Sequence, residues 1–381
     1  CQVKPLCRRA SLGDIRATLH SDFSAPYDPF RDYLESLPPC TILPDGTAQL
    51  QGRTRPRDYL QELADRVQVA GDHALFSQQL RRWMVQLVKS VIAEQEVNQY
   101  ILVFIGAQGI YKTTFFQSLL PPAFHARYFY LKTRSDRLDR DDKLKMAQFW
   151  LFCLEEIDSM TDSELNNLKA MLTSTKVDER PAYGRNTLHL PRISSFCATG
   201  NHLNFLTDTT GNRRFLPQHV VSIDNPRTRP IDHEGIYAQA YALARDPGFV
   251  SYIDEDLSRQ MQQQTELFMV PVLEHELIDK YLDLPLPLYR QWQDSEPPAT
   301  IRSDSAGGIM AYLEQFTRQR LSVRRVAAYL RKKGFPETNI HGNKHFTVAV
   351  LSTKEVDRRQ KLNALNQPQE SPSPTEAQPP Q

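Results

Sequence analysis

The chain has 381 residues, a formal net charge of +1, 40% hydrophobic residues and 24% charged ones. That length accommodates about two or three domains and a sizeable core. The balance excludes a uniformly acidic or basic protein while leaving room for local patches. No apolar run approaches the roughly 18 residues that a membrane span needs.

Five cysteines (Cys1, Cys7, Cys40, Cys153 and Cys197) form no C-x-x-C pair, which excludes a zinc ribbon and a thioredoxin-like site. Cys153 and Cys197 fall in apolar runs and read as small core residues, a usage that suits the reducing cytoplasm. The chain opens on Cys1 rather than Met and shows no signal peptide, so it reads as part of a longer protein, with the presence or absence of a partner domain before it left open.

In chain order, residues 1–97 form a mostly helical region. Its early part is broken by Pro-containing turns, and Leu80, Trp83, Met84, Leu87, Val88 and Val91 then recur at helical spacing. Tyr100–Ile105 is a buried strand that ends at Gly106, and Lys112–Leu120 is a helix stopped by Pro121-Pro122. Phe149–Leu154 is a second buried strand, Ser163–Leu172 a helix and Ile193–Thr199 a third strand. This alternation predicts an α/β core, with a mostly parallel sheet, over residues 98–282 including a helical extension. Residues 283–305 read as a Pro-rich linker. Residues 306–352 read as a small basic domain: two helical stretches, a Gly334-Phe335-Pro336 turn and a strand at Lys344–Leu351. Residues 353–381 read as a disordered tail, Pro/Gln/Ser/Glu-rich from Asn363.

The run Gly106-Ala-Gln-Gly-Ile-Tyr-Lys-Thr-Thr114 sits between a strand and a helix. A helix N-terminus presents unpaired N–H groups and positive potential, and glycines let the backbone approach phosphate oxygens. Gly106, Lys112 and Thr113 match G-x-x-x-x-G-K-[ST], in which the Lys reaches the β/γ-phosphates and the hydroxyl takes Mg²⁺. Gly109 keeps part of the cradle, and Gln108 and Thr114 complete the nucleotide-binding set. Tyr111 departs from the pattern by standing where glycine is usual. The second strand ends in Glu155-Glu156: the first acid is placed for Mg²⁺, the second for activating the attacking water. The third strand leads to Asn201, a candidate γ-phosphate sensor or a simple turn residue. Arg213 and Arg214 are candidates for an arginine finger, in cis or from another subunit, or else for surface ion pairs.

The chain resembles the virulence-associated protein E (VapE-like) family of P-loop ATPases of phages and other mobile elements, relatives of superfamily III helicases and of primase–helicases. The resemblance runs from about Pro29 to Leu282. It rests on Trp83, Gly106-x-Gln-Gly, Glu155-Glu156, Leu168-Lys169-Ala, Arg180-x-x-Tyr183-Gly-Arg185, Pro191-Arg192, Asn201 and Phe205-Leu-x-Asp208-x-x-Gly211-Asn-Arg-Arg-Phe215. It implies a RecA-like or AAA+-like P-loop NTPase core, Mg²⁺-ATP and a homo-oligomeric ring with sites between subunits. It also implies a DNA-facing hairpin before the Asn201 strand, in a segment that holds Lys169, Lys176, Arg180, Tyr183, Arg185 and Arg192. Cations interleaved with an aromatic suit single-stranded DNA, although a solvated loop or a ring contact would use the same residues. The basic C-terminal stretch reads as a winged helix presenting Leu321–Lys333 to DNA, or as a basic helical cap.

Three functions follow in order of preference. The first is an ATP-driven motor or remodeller on DNA in mobile-element replication. The second is a nucleotide-gated DNA-binding or assembly protein with little hydrolysis, motivated by Tyr111. The third is a kinase built on the same loop.

Overall fold

A computed structural model describes residues 11–19, 21, 28–93, 96–133, 138–180, 187–207, 212–270, 272–286, 297–340 and 342–366. The chain folds as two units, residues 1–270 and 271–381. No helix among the described residues is long and apolar enough to cross a membrane.

The first unit begins with α1 (Leu12–Leu19), α2 (Pro29–Glu35), the antiparallel pair β1 (Cys40–Ile42) and β2 (Ala48–Leu50), α3 (Tyr59–Ala64), β3 (Val67–Val69) and α4 (His73–Ile92). It continues with β4 (Ile101–Ile105), α5 (Lys112–Leu119), α6 (Pro122–Tyr128), β5 (Phe129–Lys132), α7 (Arg140–Lys145), β6 (Leu151–Leu154) and α8 (Asp162–Thr173). The pair β7 (Lys176–Glu179) and β8 (Leu188–Pro191) forms an antiparallel hairpin before β9 (Ser195–Gly200), β10 (Phe215–Ile223), α9 (His233–Arg245) and α10 (Glu255–Glu266).

The main sheet has the order β3-β10-β4-β9-β6-β5. Five strands are parallel, and β3 adds an antiparallel edge through β10. The expected mostly parallel α/β sheet is present, and it is larger than the sequence reading, which passed over β3, β5 and β10.

Both faces of the sheet are covered, so β4 and β6 are apolar throughout rather than alternating. Leu102, Phe104, Cys153 and Cys197 pack with Trp83 and Leu87 of α4, Phe115 of α5 and Ala240 of α9. Ile101, Val103, Ile105, Phe152 and Phe196 pack with Leu165, Leu168 and Leu172 of α8. Each such side chain contributes roughly 1.5–3 kcal/mol on burial, so a one-residue slip of β4 would exchange both interfaces at once. The helical stretch before residue 97 is not a body apart: α4 covers one sheet face, and Trp83 Nε1 donates to the Phe196 oxygen of β9 at 3.2 Å.

The second unit contains α11 (Leu273–Tyr281), β11 (Leu282–Asp283), β12 (Ala299–Ser305), α12 (Ala306–Leu313), α13 (Val323–Lys332), β13 (Glu337–Ile340), β14 (Asn343–Leu351) and α14 (Thr353–Asn366). Here β14 pairs antiparallel with β11, β12 and β13. The segment read as a linker thus carries β12, and the one read as a disordered tail begins with α14. Glu355 explains that helix: it bonds Arg358 and Arg359 one turn on, which i,i+3 and i,i+4 spacing permits.

Candidate functional site

The parallel strands end on one edge of the sheet, and the winding reverses at β4: the chain leaves β4 for β5 on one side and later crosses to β10 on the other. Open α/β sheets take ligands outside the carboxyl ends of their strands at such a reversal. The loop after β4, the acids after β6 and Asn201 after β9 all lie on this edge.

The loop turns on backbone constraints. A Cβ on Gly106 would stand 2.2 Å from the Val220 carbonyl oxygen, so no side chain is tolerated there. Its N–H donates to the Gly200 oxygen at 3.2 Å, which ties the loop to β9. Gly109 has φ +85°. Tyr111, the residue in the usual glycine position, has φ 68° and ψ 21°. It therefore keeps the left-handed backbone that glycine would supply, at a cost of roughly 1–2 kcal/mol. Its side chain is 40% exposed. No side chain caps α5, so the first-turn N–H groups that no intrahelical carbonyl can take carry positive potential at the loop. Gln108 is exposed and Thr114 half-buried in that first turn.

Lys112 is buried, and its Nζ donates to the oxygens of Gly106 (2.6 Å) and Ala107 (2.6 Å) and to Asn201 Oδ1 (3.2 Å). Burial lowers its pKa from the ordinary lysine value, with the charge of Asp158 acting the other way. Thr113 Oγ1 donates to Glu155 Oε1 at 3.0 Å. Lys112, Thr113, Glu155 and Asn201 are thus joined from three strand ends. Glu156 follows, exposed, with φ 53°, a left-handed backbone that a non-glycine residue adopts at a cost.

Asp158 belongs to this cluster and the sequence reading passed over it. Its Oδ2 accepts from the N–H groups of Asn201 (3.2 Å) and His202 (2.9 Å). Its Oδ1 is buried without a hydrogen-bond partner, and a Cβ on Gly200 would come within 2.7 Å of it. Asp158 thereby fixes the backbone of Asn201. The available signal was an acid two residues beyond the Glu155-Glu156 pair.

Arg213 and Arg214 do not reach this edge. They directly precede Phe215, which pairs with Ile101 at the start of β4. Five residues of parallel strand separate the two ends, about 16 Å. Burial raises the Tyr100 phenol, and its Ile253 hydrogen bond and the charges of Arg82, Arg213 and Arg214 oppose that rise, as expected with the arginines at the Tyr100 end. A finger acting in cis is excluded by this placement.

Of the DNA-facing candidates, Lys169 is half-buried on α8, while Lys176 at the start of β7 and Arg180 just beyond its end are exposed. Tyr183 and Arg185 lie outside the described residues. Arg140 and Lys143 of α7 bond Glu179 at 2.8 and 3.0 Å and tether the loop end of the hairpin, where Glu179 pairs with Leu188. Arg192 is corrected: it is fully buried, not DNA-facing. It donates to the oxygens of Ser194, Met171, Leu172, Ser174 and Asn98 at 2.7–3.2 Å. It closes the C-terminal end of α8, whose last carbonyls have no helical partner.

Fold and site together define an α/β protein with a strand-end site built from a glycine-bearing loop, a buried lysine, carboxylates and an asparagine. Residues 50–269 match the family model described as the virulence-associated protein E-like domain, and the chain belongs to that family. Among solved structures, the apo structure of the NrS-1 C-terminal region is similar, at 12% identity and TM-score 0.48, over 86% of this chain and 79% of that one. The A-form apo structure of the same region is similar at 12% identity and TM-score 0.46, over 86% and 80%. No curated protein sequence matches the chain.

Proposed function

We propose that the chain is a Mg²⁺-dependent ATPase on a P-loop NTPase core of the RecA or AAA+ kind, acting on single-stranded DNA in the replication of a phage or other mobile element. The observation that carries this reading is the hydrogen-bonded set Lys112–Asn201 and Thr113–Glu155, assembled from the ends of β4, β9 and β6. The donor set suits Mg²⁺, which takes one or two protein oxygens and fills its remaining positions with phosphate oxygens and water. When bound, the ion would offset the charge that develops on the phosphate oxygens.

In this reading Lys112 exchanges its three acceptors for the β/γ-phosphates, and the first-turn amides of α5 hold phosphate oxygens. Thr113 and Glu155 hold the metal. Glu156 takes a proton from the attacking water, and Asn201, fixed by Asp158, orients that water against the γ-phosphate. Arg213 or Arg214 serves the site of a neighbouring copy in a homo-oligomeric ring. Lys169 on α8 and Lys176 and Arg180 on the β7–β8 hairpin, with Tyr183 and Arg185, contact the DNA strand. The second unit reads as winged-helix-like on its order α11, β12, α12, α13, β13, β14.

The test is ATP turnover by purified protein with and without single-stranded DNA, beside a nucleotide-binding titration. Lys112→Ala abolishes turnover under this proposal, and unchanged turnover would refute the site. Tight nucleotide binding by the wild-type chain without turnover would favour the nucleotide-gated reading, which the threefold engagement of Lys112 also accommodates.

A further inference from the structure

The C-terminal unit carries charge that the ATPase reading leaves unused. Residues 306–352 hold eight Lys or Arg against two acids, a net of +6 in a chain whose total is +1. Half of those cations are concentrated on one side of α13. Val326, Tyr329 and Leu330 form its buried side. At about 100° per residue the opposite side is Arg324, Arg325, Ala328, Arg331 and Lys332, and all five are exposed.

Stability does not account for this face. Arg331 is bonded to Glu337 at 3.0 and 3.1 Å, and Arg325 lies 4.0 Å from Glu274. Arg324 and Lys332 have no acidic partner among the described residues. The helix holds no acid of its own, so these like charges repel one another without internal compensation. The small Ala328 at the centre of the face removes any steric barrier to a close approach.

The neighbouring elements frame the same face. Leu313 of α12 joins Val326 and Leu330 of α13 in one core, making a helix pair in which α13 comes second. The β13–β14 hairpin, exposed along all of β13, turns at Gly342 with φ +84°. Glu337 at its base is shared by Arg331 and Lys344 (3.4 Å), which holds the hairpin against the last turn of α13 and neutralises the nearest acid.

We propose that this face is a duplex-DNA binding surface, with α13 in the major groove and the β13–β14 hairpin alongside it on the phosphate backbone. A major groove about 12 Å wide admits a helix, and the second helix of such a pair is the one that enters it. Duplex is favoured over single-stranded DNA because binding of single strands relies on aromatic stacking platforms. The exposed side of α13 has no aromatic residue. The chain therefore has two DNA contacts of different kinds, and this one does not depend on nucleotide.

The experiment measures binding of the full chain, without nucleotide, to a labelled duplex and to a single strand of equal length across a salt series. The variant Arg324→Ala/Arg325→Ala/Lys332→Ala is expected to bind duplex at least tenfold more weakly. Its log–log salt slope should be flatter by about 3, one unit for each lost phosphate contact. Ala328→Glu, which keeps every cation, should lose duplex binding as well. Both variants change exposed positions and should keep the wild-type unfolding midpoint. Duplex binding unchanged in the triple variant, or wild-type binding to the single strand as tight as to the duplex and equally reduced by the variant, would overturn the proposal.

Discussion

Thr113 Oγ1 donates to Glu155 Oε1 at 3.0 Å, joining the first turn of α5 to the end of β6 across the intervening strand β9. Under the proposed function, two oxygens so placed would supply the protein's share of a magnesium site. Thr113→Val keeps the shape and removes the hydroxyl. It is expected to raise the Mg²⁺ concentration needed for half-maximal turnover by at least about tenfold, the lower end of the cost of losing even a residue that only orients a metal ligand. Nucleotide affinity in the presence of a chelator should not change. A Mg²⁺ titration on both proteins decides it, and an unaltered midpoint would remove Thr113 from the metal site.

Tyr111 separates a conformational requirement from a chemical one. Tyr111→Gly relieves a left-handed strain of roughly 1–2 kcal/mol and gives part of it back as unfolded-chain entropy, so stability should move by less than about 1 kcal/mol. Tyr111→Val places a β-branched residue in the same conformation and should destabilise by about 1–2 kcal/mol. Turnover by the glycine variant should at least equal that of wild type. A tenfold fall would mean that the ring itself contacts the nucleotide.

Arg192 is a structural cation. Arg192→Met removes the guanidinium donor from five carbonyls, most of them buried, and a loss of at least about 3 kcal/mol is expected from urea unfolding midpoints. Arg192→Lys keeps the charge but offers fewer donors in a different geometry, so it should fall between the two. A wild-type midpoint for the methionine variant would contradict this role.

The hairpin should loosen in acid. Lys143 and Arg140, hydrogen-bonded to Glu179, hold its carboxyl below the ordinary glutamate range. A depressed folded-state pKa contributes stability that is fully present above the unfolded value of about 4.3 and is lost as pH falls through the folded one. Protection of the Val177 and Asp178 amides, taken relative to the intrinsic exchange rate at each pH, should fall below that value. Glu179→Gln should show the faster exchange already at pH 7, and identical exchange in both proteins would discount the tether.

How legible this was depended on range. β4, the loop and β6 declare themselves through continuous apolar runs ending in Gly106 and Glu155, because a strand covered on both faces needs every residue apolar. β10 was harder to read: Phe215–Ile223 carries Pro217, Gln218 and His219. Gln218 is buried there only because Gln264 donates to it at 2.8 Å and Gln79 accepts from it, partners that lie far away in sequence. Asp158 was passed over, and Arg192 was placed on a DNA-facing segment, for the same reason. An acid or arginine after an apolar run is normally solvated, and only the folded chain brings the Asn201 amide to one and the α8 carbonyls to the other. The α13 helix was visible as a basic stretch, but which of its cations are already neutralised was not.

The strand register has a consequence for assembly. The lysine loop lies where β4 ends and the arginine pair where β4 begins, so each copy has two unlike ends. A contact that left the strands of two copies parallel and side by side would set like against like and leave every loop without an arginine. An antiparallel two-fold dimer, in which each end meets the other's opposite end, would join loop to arginine pair, and so would a head-to-tail contact, which either closes into a ring or runs on as a filament. In such an assembly each site belongs to two chains. A mixture of Lys112→Ala and Arg213→Ala/Arg214→Ala chains, each inactive alone, should therefore recover turnover at those contacts where an intact loop meets an intact arginine pair.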